Sequence, residues 1–114
     1  MLKVKKISEK QDCCKFGVRN VTVYRCGKYE VRSYLREGDK KPWTIYSVNE
    51  INGADYAPKI YHKSDFNGEK LGYFEIQTTS YGTLDVEQYE VFLKNCKHAY
   101  EVTKALNEYF CKED

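Results

Sequence analysis

The chain has 114 residues, a formal net charge of +2 at pH 7 and 41% hydrophobic residues. This length is typical of one domain with a single core. No stretch approaches the roughly 18–20 consecutive apolar residues of a membrane-spanning helix. The charged N-terminus also lacks the apolar segment of a signal peptide. We therefore expect a single domain over residues 1–114, located in the cytoplasm and without a membrane partner.

The charges are divided unevenly along the chain. Residues 1–63 contain fourteen Lys and Arg against seven Asp and Glu, whereas residues 64–114 contain five against ten. Two interpretations remain open at this point. Either a basic sheet attracts an acidic helix within the domain, or a basic outer surface faces an acidic partner.

The five cysteines are an odd number, and none forms a C-x-x-C pair. Cys13 and Cys14 are adjacent, which is too close for a zinc knuckle. Cys96 and His98 are two residues apart in a helical pattern, so they point in different directions. We expect free thiols in a reducing compartment and no metal site. The glycines form neither a G-x-G-x-x-G motif nor a P-loop, and we expect no cofactor.

The first half of the chain carries the clearest strand pattern. Residues 1–15 predict a short edge strand, followed by a loose polar connection from Ser8 to Lys15. Residues 21–35 then form two period-two runs separated by Cys26-Gly27, which predicts a β-hairpin with Tyr29 and the alternate residues after it facing inward.

Further strands are predicted in the middle of the chain. Residues 43–49 form a strand with apolar groups on both faces, and residues 49–58 form a loop. Residues 59–63 form a short strand, and Asn67-Gly68 indicates a turn. Residues 70–79 return as a strand with Phe74 and Ile76 inward.

Residues 85–111 predict one long helix, because apolar residues recur there at spacings of three and four. Asp85 is a candidate N-cap, and Gln88 would complete a capping box. Charged residues from Glu87 to Glu108 fall mostly off the apolar stripe. The predicted buried stripe consists of Tyr89, Phe92, Cys96, Ala99, Thr103, Leu106 and Phe110.

These elements define an α+β fold class: an antiparallel sheet of about five to six strands packed against one long C-terminal helix. The helix would be roughly 40 Å long at about 1.5 Å per residue. A sheet of that size is only about 25–30 Å wide. One interpretation is an overhanging helix end, where Tyr109 and Phe110 would contact a partner or a second copy in a homodimer.

The sequence does not predict an enzyme. Nucleophilic catalysis needs a Cys or Ser beside a His that a third group orients, and no such arrangement is evident. We expect His62 on a strand surface and His98 on the wet side of the helix. Glu87 and Glu90 lie on an exposed helical face, where their pKa values have little reason to move.

The outer face of the predicted hairpin is the candidate binding surface. Basic residues around an aromatic ring are typical of several single-strand nucleic-acid binders, and Tyr and Trp are enriched in protein interfaces. Three interpretations remain open: a solvated face, a protein contact or a nucleic-acid contact. The candidate residues are Arg25, Lys28, Arg32, Tyr34, Arg36 and Tyr46.

In general character the chain resembles the short, motif-poor proteins that phages and mobile elements encode to block a host machine, anti-CRISPR inhibitors among them. Small size, the absence of catalytic constellations, the aromatic richness and the split charge favour a non-enzymatic protein-binding module, an inhibitor or adaptor whose partner is another protein. The alternative is a nucleic-acid-binding domain that uses the basic outer face of the first hairpin.

Overall fold

The computed structural model describes residues 2–15, 17–36, 44–53, 55–63, 72–77 and 82–110. Within them the chain has the predicted α+β organisation, with antiparallel strands followed by one long helix. The elements are β1 (Lys5–Cys14), β2 (Gly17–Cys26), β3 (Tyr29–Arg36), β4 (Thr44–Glu50), β5 (Lys59–Lys63), β6 (Tyr73–Gln77) and α1 (Val86–Phe110).

The strands form two antiparallel sheets. The larger has the order β1-β2-β3-β4, and the smaller pairs β5 with β6; no ladder joins β4 to β5. The predicted hairpin is confirmed as β2 and β3, whose two-residue turn has Gly27 at a φ of 56°. A glycine with positive φ at the first turn residue matches the twist of the flanking strands. Trp43 and the predicted Asn67-Gly68 turn lie outside the described residues.

The loose connection predicted from Ser8 to Lys15 is wrong for most of its length. β1 continues to Cys14 and pairs with β2 in register from Ser8 onward. The polar composition fits this strand because β1 is an edge of its sheet, where polar side chains remain in solvent. The register shifts between Lys6 and Ser8, so that Ile7 forms a bulge of the kind that protects sheet edges from further pairing.

The predicted helix start is confirmed. The Gln88 backbone N–H donates to Oδ1 of Asp85 at 2.8 Å, and the Asp85 backbone N–H donates to Oε1 of Gln88 at 3.0 Å. These two bonds form the reciprocal capping box that the sequence predicts. They satisfy donors that the first helical turn cannot satisfy internally.

The buried stripe of α1 begins later than predicted. Ala99, Thr103 and Leu106 are buried as expected, but Tyr89 is 52% exposed, so its predicted burial is wrong. Burial begins at Asn95, which is a polar residue. The N-terminal third of α1 therefore contributes little to the core. The core consists of Cys26, Tyr29, Val31, Ile60, Phe74, Ala99, Val102, Ala105 and Leu106.

The C-terminal end of α1 is packed, which corrects the predicted overhang. The Phe110 ring lies 4.8 Å from the ring of Tyr24 and 5.0 Å from that of Tyr46, centroid to centroid. Tyr109 remains about half exposed beside Tyr24. Phe110 is therefore part of an aromatic cluster and not of an exposed contact surface.

One asparagine joins α1 to the smaller sheet. Oδ1 of Asn107 accepts the Phe74 backbone N–H at 2.7 Å, and Nδ2 of Asn107 donates to the Phe74 carbonyl at 3.1 Å. The amide thus takes the place of a neighbouring strand residue along the edge of β6. Backbone groups buried without a partner are costly, so this contact fixes the helix on the sheet.

Two more polar residues join α1 to the β2–β3 turn. Asn95 accepts a hydrogen bond from Nζ of Lys28 at 3.3 Å and donates one to the Asp55 carbonyl at 2.8 Å. Nε2 of His98 accepts the Lys28 backbone N–H at 3.2 Å. Polar contacts along α1 therefore anchor the hairpin turn, the β4–β5 loop and the edge of β6.

We expect Asn107→Ala to lower the free energy of unfolding by roughly 2–4 kcal/mol, because both backbone groups of Phe74 lose their partner. Glu108→Ala is the matched control, since Glu108 is the next residue and is exposed. Urea denaturation followed by circular dichroism measures both variants. Equal stability of the two variants would contradict the assigned role of Asn107.

Candidate functional site

The side of the four-stranded sheet that faces away from α1 is the candidate site. Strand register and burial place the same alternate residues of each strand on this side. We call it the outer face, and it consists of Lys5, Ser8, Lys10, Asp12, Arg19, Val21, Val23, Arg25, Glu30, Arg32, Tyr34, Ile45, Ser47 and Asn49.

The middle of the outer face is apolar. Lys10 lies beside Val21, Val21 beside Tyr34, and Tyr34 beside Ile45, in one row across the four strands. Val21 and Tyr34 are partly buried by their neighbours, whereas the Ile45 side chain is 61% exposed. Val23 extends this apolar centre toward the next row. Ile45 and Tyr34 together give the outer face an apolar and aromatic centre that is partly exposed.

Ion pairs organise part of the charge on the outer face. Arg19 donates to Asp12 from Nη2 at 2.9 Å, and its guanidinium lies 4.8 Å from the Tyr34 ring centre. Nε of Arg32 donates to Oε1 of Glu30 at 2.7 Å, and this bond raises the pKa of the Arg32 guanidinium. The two acidic side chains of the face are therefore already engaged by arginines.

Three cations on the outer face remain available. Among the described residues, no acidic side chain lies within salt-bridge distance of Lys5, Lys10 or Arg25, and each of the three is exposed. The described side chains of the face include five basic ones and two acidic ones. Its chemistry is that of an apolar centre with a basic margin, which attracts an acidic surface.

The structure brings some of the sequence-predicted site residues together and separates others. Arg25, Arg32 and Tyr34 share the outer face as predicted. The side chain of Arg36 lies outside the described part of the chain. Reasoning from the sequence missed Lys10, because the segment from Ser8 onward was expected to be loose and not a strand beside β2.

Lys28 and Tyr46 do not belong to the outer face. Lys28 extends from the hairpin turn to Oδ1 of Asn95 on α1. Tyr46 pairs with Ser33 on the opposite side of the sheet, and its ring lies 5.5 Å from that of Phe74. The expectation that Lys28 points outward with the other hairpin residues is therefore wrong, and the candidate residue Tyr46 packs on the inner side of the sheet.

The two histidines are packed, which corrects the expectation that both lie on the surface. The His62 ring lies 4.6 Å from the Tyr46 ring and 4.9 Å from the Phe74 ring, and burial lowers its pKa. His98 lies near Tyr29 and accepts a backbone N–H from Lys28. Burial and then the Lys28 charge lower the pKa of His98. The lowered pKa values favour the neutral form of both imidazole rings.

A cleft of about 420 Å³ separates the facing edges of β4 and β5. Burial raises the pKa of the Glu50 carboxyl, which lies at one end of this cleft. His62 is among the described lining residues, but no cysteine is. The pairing of a thiol with a histidine that nucleophilic chemistry needs is not found among these residues.

The described part of the chain offers no metal-ligand cluster. No group of three or more His, Cys, Asp or Glu side chains converges there. Cys13, Cys26 and Cys96 are free thiols, and burial raises the pKa of both Cys26 and Cys96. A raised pKa disfavours the reactive thiolate form.

Fold and surface together define an α+β protein with a long helix covering two antiparallel sheets. No helix within the described residues is both long and apolar enough to cross a membrane. Comparisons with protein-family models, curated proteins and solved structures give no match. The candidate site is therefore judged on its own residues.

We expect the free energy of unfolding to fall as the pH is lowered from 7.5 to 5.5. The folded state lowers the pKa of His62 and of His98, so the unfolded chain binds more protons below its histidine pKa of about 6.5. The stabilisation is complete above that value and is lost as the pH falls toward the folded pKa values. The slope of the unfolding free energy against pH stays below about 1.4 kcal/mol per pH unit for each ring, and solvent screening of the partly exposed rings reduces it further.

Urea denaturation across this pH range measures the effect. The double variant His62→Gln/His98→Gln is the comparison, because it has no histidine left in the chain. A slope that persists unchanged in the double variant would assign the pH dependence to other groups.

Proposed function

We propose that this protein is a non-enzymatic protein-binding module that places its outer face against an acidic surface of another protein. The exposed side chain of Ile45 carries the proposal, because it lies beside Tyr34 at the apolar centre of a face whose other side chains are mostly charged or polar. Apolar contact at the centre supplies affinity, while the basic margin selects and steers an acidic partner.

The packing of the two histidines supports a role without catalysis. His62 is held among aromatic rings and His98 is engaged with the hairpin turn. Each histidine makes a structural contact that it would have to lose in order to act as a catalytic base. The thiol of Cys26 is similarly shielded by burial in the core.

The second candidate is nucleic-acid binding by the same face. It is favoured by the exposed cations Lys5, Lys10 and Arg25, which share the outer face with the Tyr34 ring. Single-strand binders usually stack successive bases on several aromatic side chains, whereas the outer face has one ring, and the guanidinium of Arg19 covers part of it. Protein contact is therefore the preferred function.

The narrower form of the proposal is a small inhibitor or adaptor of phage or mobile-element type, anti-CRISPR inhibitors being the concrete example. Its support is an exposed binding surface on one α+β domain, built from side chains alone. A cytoplasmic location belongs to the same proposal, because the free thiols of Cys13, Cys26 and Cys96 suit a reducing compartment.

We expect Ile45→Glu to weaken partner binding at least about tenfold, because a charge replaces an apolar contact at the centre of the interface. Partners are first identified by quantitative affinity capture from the source cell, and binding is then measured with the purified partner. Arg25→Glu should mainly slow association, and its effect should shrink as salt is added.

Val91→Glu is the matched control, because Val91 is an exposed branched residue on α1 and lies outside the outer face. Equal loss of binding in Val91→Glu and Ile45→Glu would contradict the assignment of the outer face. Titration of single- and double-stranded DNA and RNA tests the second candidate. Tight binding that falls steeply with salt would favour nucleic acid over protein.

A further inference from the structure

α1 has three distinct faces. One is buried against the sheets and contains Ala99 and Leu106, and another carries the charged residues. The third is apolar and exposed. Its residues follow strict spacings of three and four, and we call them the seam: Val86, Tyr89, Leu93, Cys96 and Tyr100.

The seam is too exposed to be part of the core. Val86, Tyr89, Leu93 and Tyr100 are 77%, 52%, 49% and 66% exposed. At about 100° per residue, the seam lies roughly a third of a turn from the buried face. A repeat of three and four is the pattern by which one helix packs along another in a coiled coil. The seam therefore has the geometry of a helix-pairing surface.

We propose that the seam binds the same seam of a second copy of this chain, with the two helices antiparallel. Glu90 and Lys97 lie on one flank of the seam, whereas Phe92 and Ala99 lie on the flank that faces the protein's own sheets. Antiparallel pairing brings the two charged flanks together. A parallel pair would instead place the charged flank of one copy against the sheet side of the other.

Charge complementarity fixes the register of this pair. When Leu93 lies opposite Cys96 of the second copy, Tyr89 lies opposite Tyr100 of that copy. Glu90 then lies about 3 Å along the axis from Lys97 of the second copy, at about 1.5 Å per residue. The two-fold symmetry produces this ion pair twice. Shifting one helix by a heptad brings either the two Glu90 side chains or the two Lys97 side chains together.

The size of the seam predicts a weak dimer. It spans fourteen residue steps, or roughly 21 Å of helix. An interface of this length falls below the roughly 1,200 Å² of stable complexes and is typical of transient association. We expect a dissociation constant in the micromolar range or higher. This dimerisation is independent of the proposed function, because the seam and the outer face share no residue.

Sedimentation velocity over a concentration series up to about 1 mM tests the proposal, since that range covers weak association. We expect the wild-type chain to shift from monomer to dimer. Leu93→Glu should remain monomeric while circular dichroism shows its helix intact, because Leu93 is half exposed in the monomer. Val91→Glu is the control and should dimerise like the wild type.

A charge swap tests the antiparallel register. Glu90→Lys and Lys97→Glu should each weaken dimerisation about fivefold, as expected for losing exposed ion pairs. The double variant Glu90→Lys/Lys97→Glu should restore the wild-type affinity. This recovery distinguishes pairing between copies from a change in the solubility or helicity of the monomer.

Three outcomes would overturn the proposal. If the chain is monomeric at every concentration, a second copy does not bind the seam. A dimer that persists in Leu93→Glu uses another surface. A double variant that is weaker than either single variant excludes the antiparallel register. If the monomeric chain instead binds a different protein through Leu93, the seam serves that partner and self-association is excluded.

Discussion

One helix holds together two sheets that share no backbone ladder. α1 packs on the hairpin turn of the larger sheet and along the edge of the smaller one. Burial of the apolar core around Leu106 supplies most of the stabilising free energy. It does little to determine how the helix is oriented on the sheets. Orientation comes from Asn95, His98 and Asn107, whose hydrogen bonds fix where each sheet meets the helix. Since unpaired buried polar groups are costly, these contacts exclude helix positions that apolar packing alone would allow.

This arrangement determines which surfaces are free for partners. α1 packs on the inner side of the larger sheet near the hairpin turn and along the smaller sheet, and the outer face of the larger sheet has no covering layer within the described residues. Antiparallel sheets tolerate such exposure when polar residues alternate with apolar ones. The outer face departs from that pattern at Ile45, which is apolar and exposed. The proposed function uses Ile45 as a contact residue at this position.

Most of the architecture could be predicted because it is encoded by local periodicity. The β2–β3 hairpin follows from alternation around Gly27, and the start of α1 follows from the capping box at Asp85. The roles of Asn107 and His62 depend on residues far away in sequence, and no local pattern indicates them. The predicted burial of Tyr89 is wrong because α1 has two apolar stripes. The spacing of apolar residues alone does not show which of the two stripes faces the core.

The two apolar stripes of α1 have different consequences for function. The buried stripe is required by the fold, since it closes the core around Leu106. The seam around Leu93 has no such role, and exposing it carries a risk of nonspecific association. If the seam pairs two copies, each dimer carries two outer faces on opposite halves of one assembly. Two linked faces can bind a repeated or symmetric partner far more tightly than one face can. Self-association through α1 would thus compensate for the modest affinity of a small, largely polar surface.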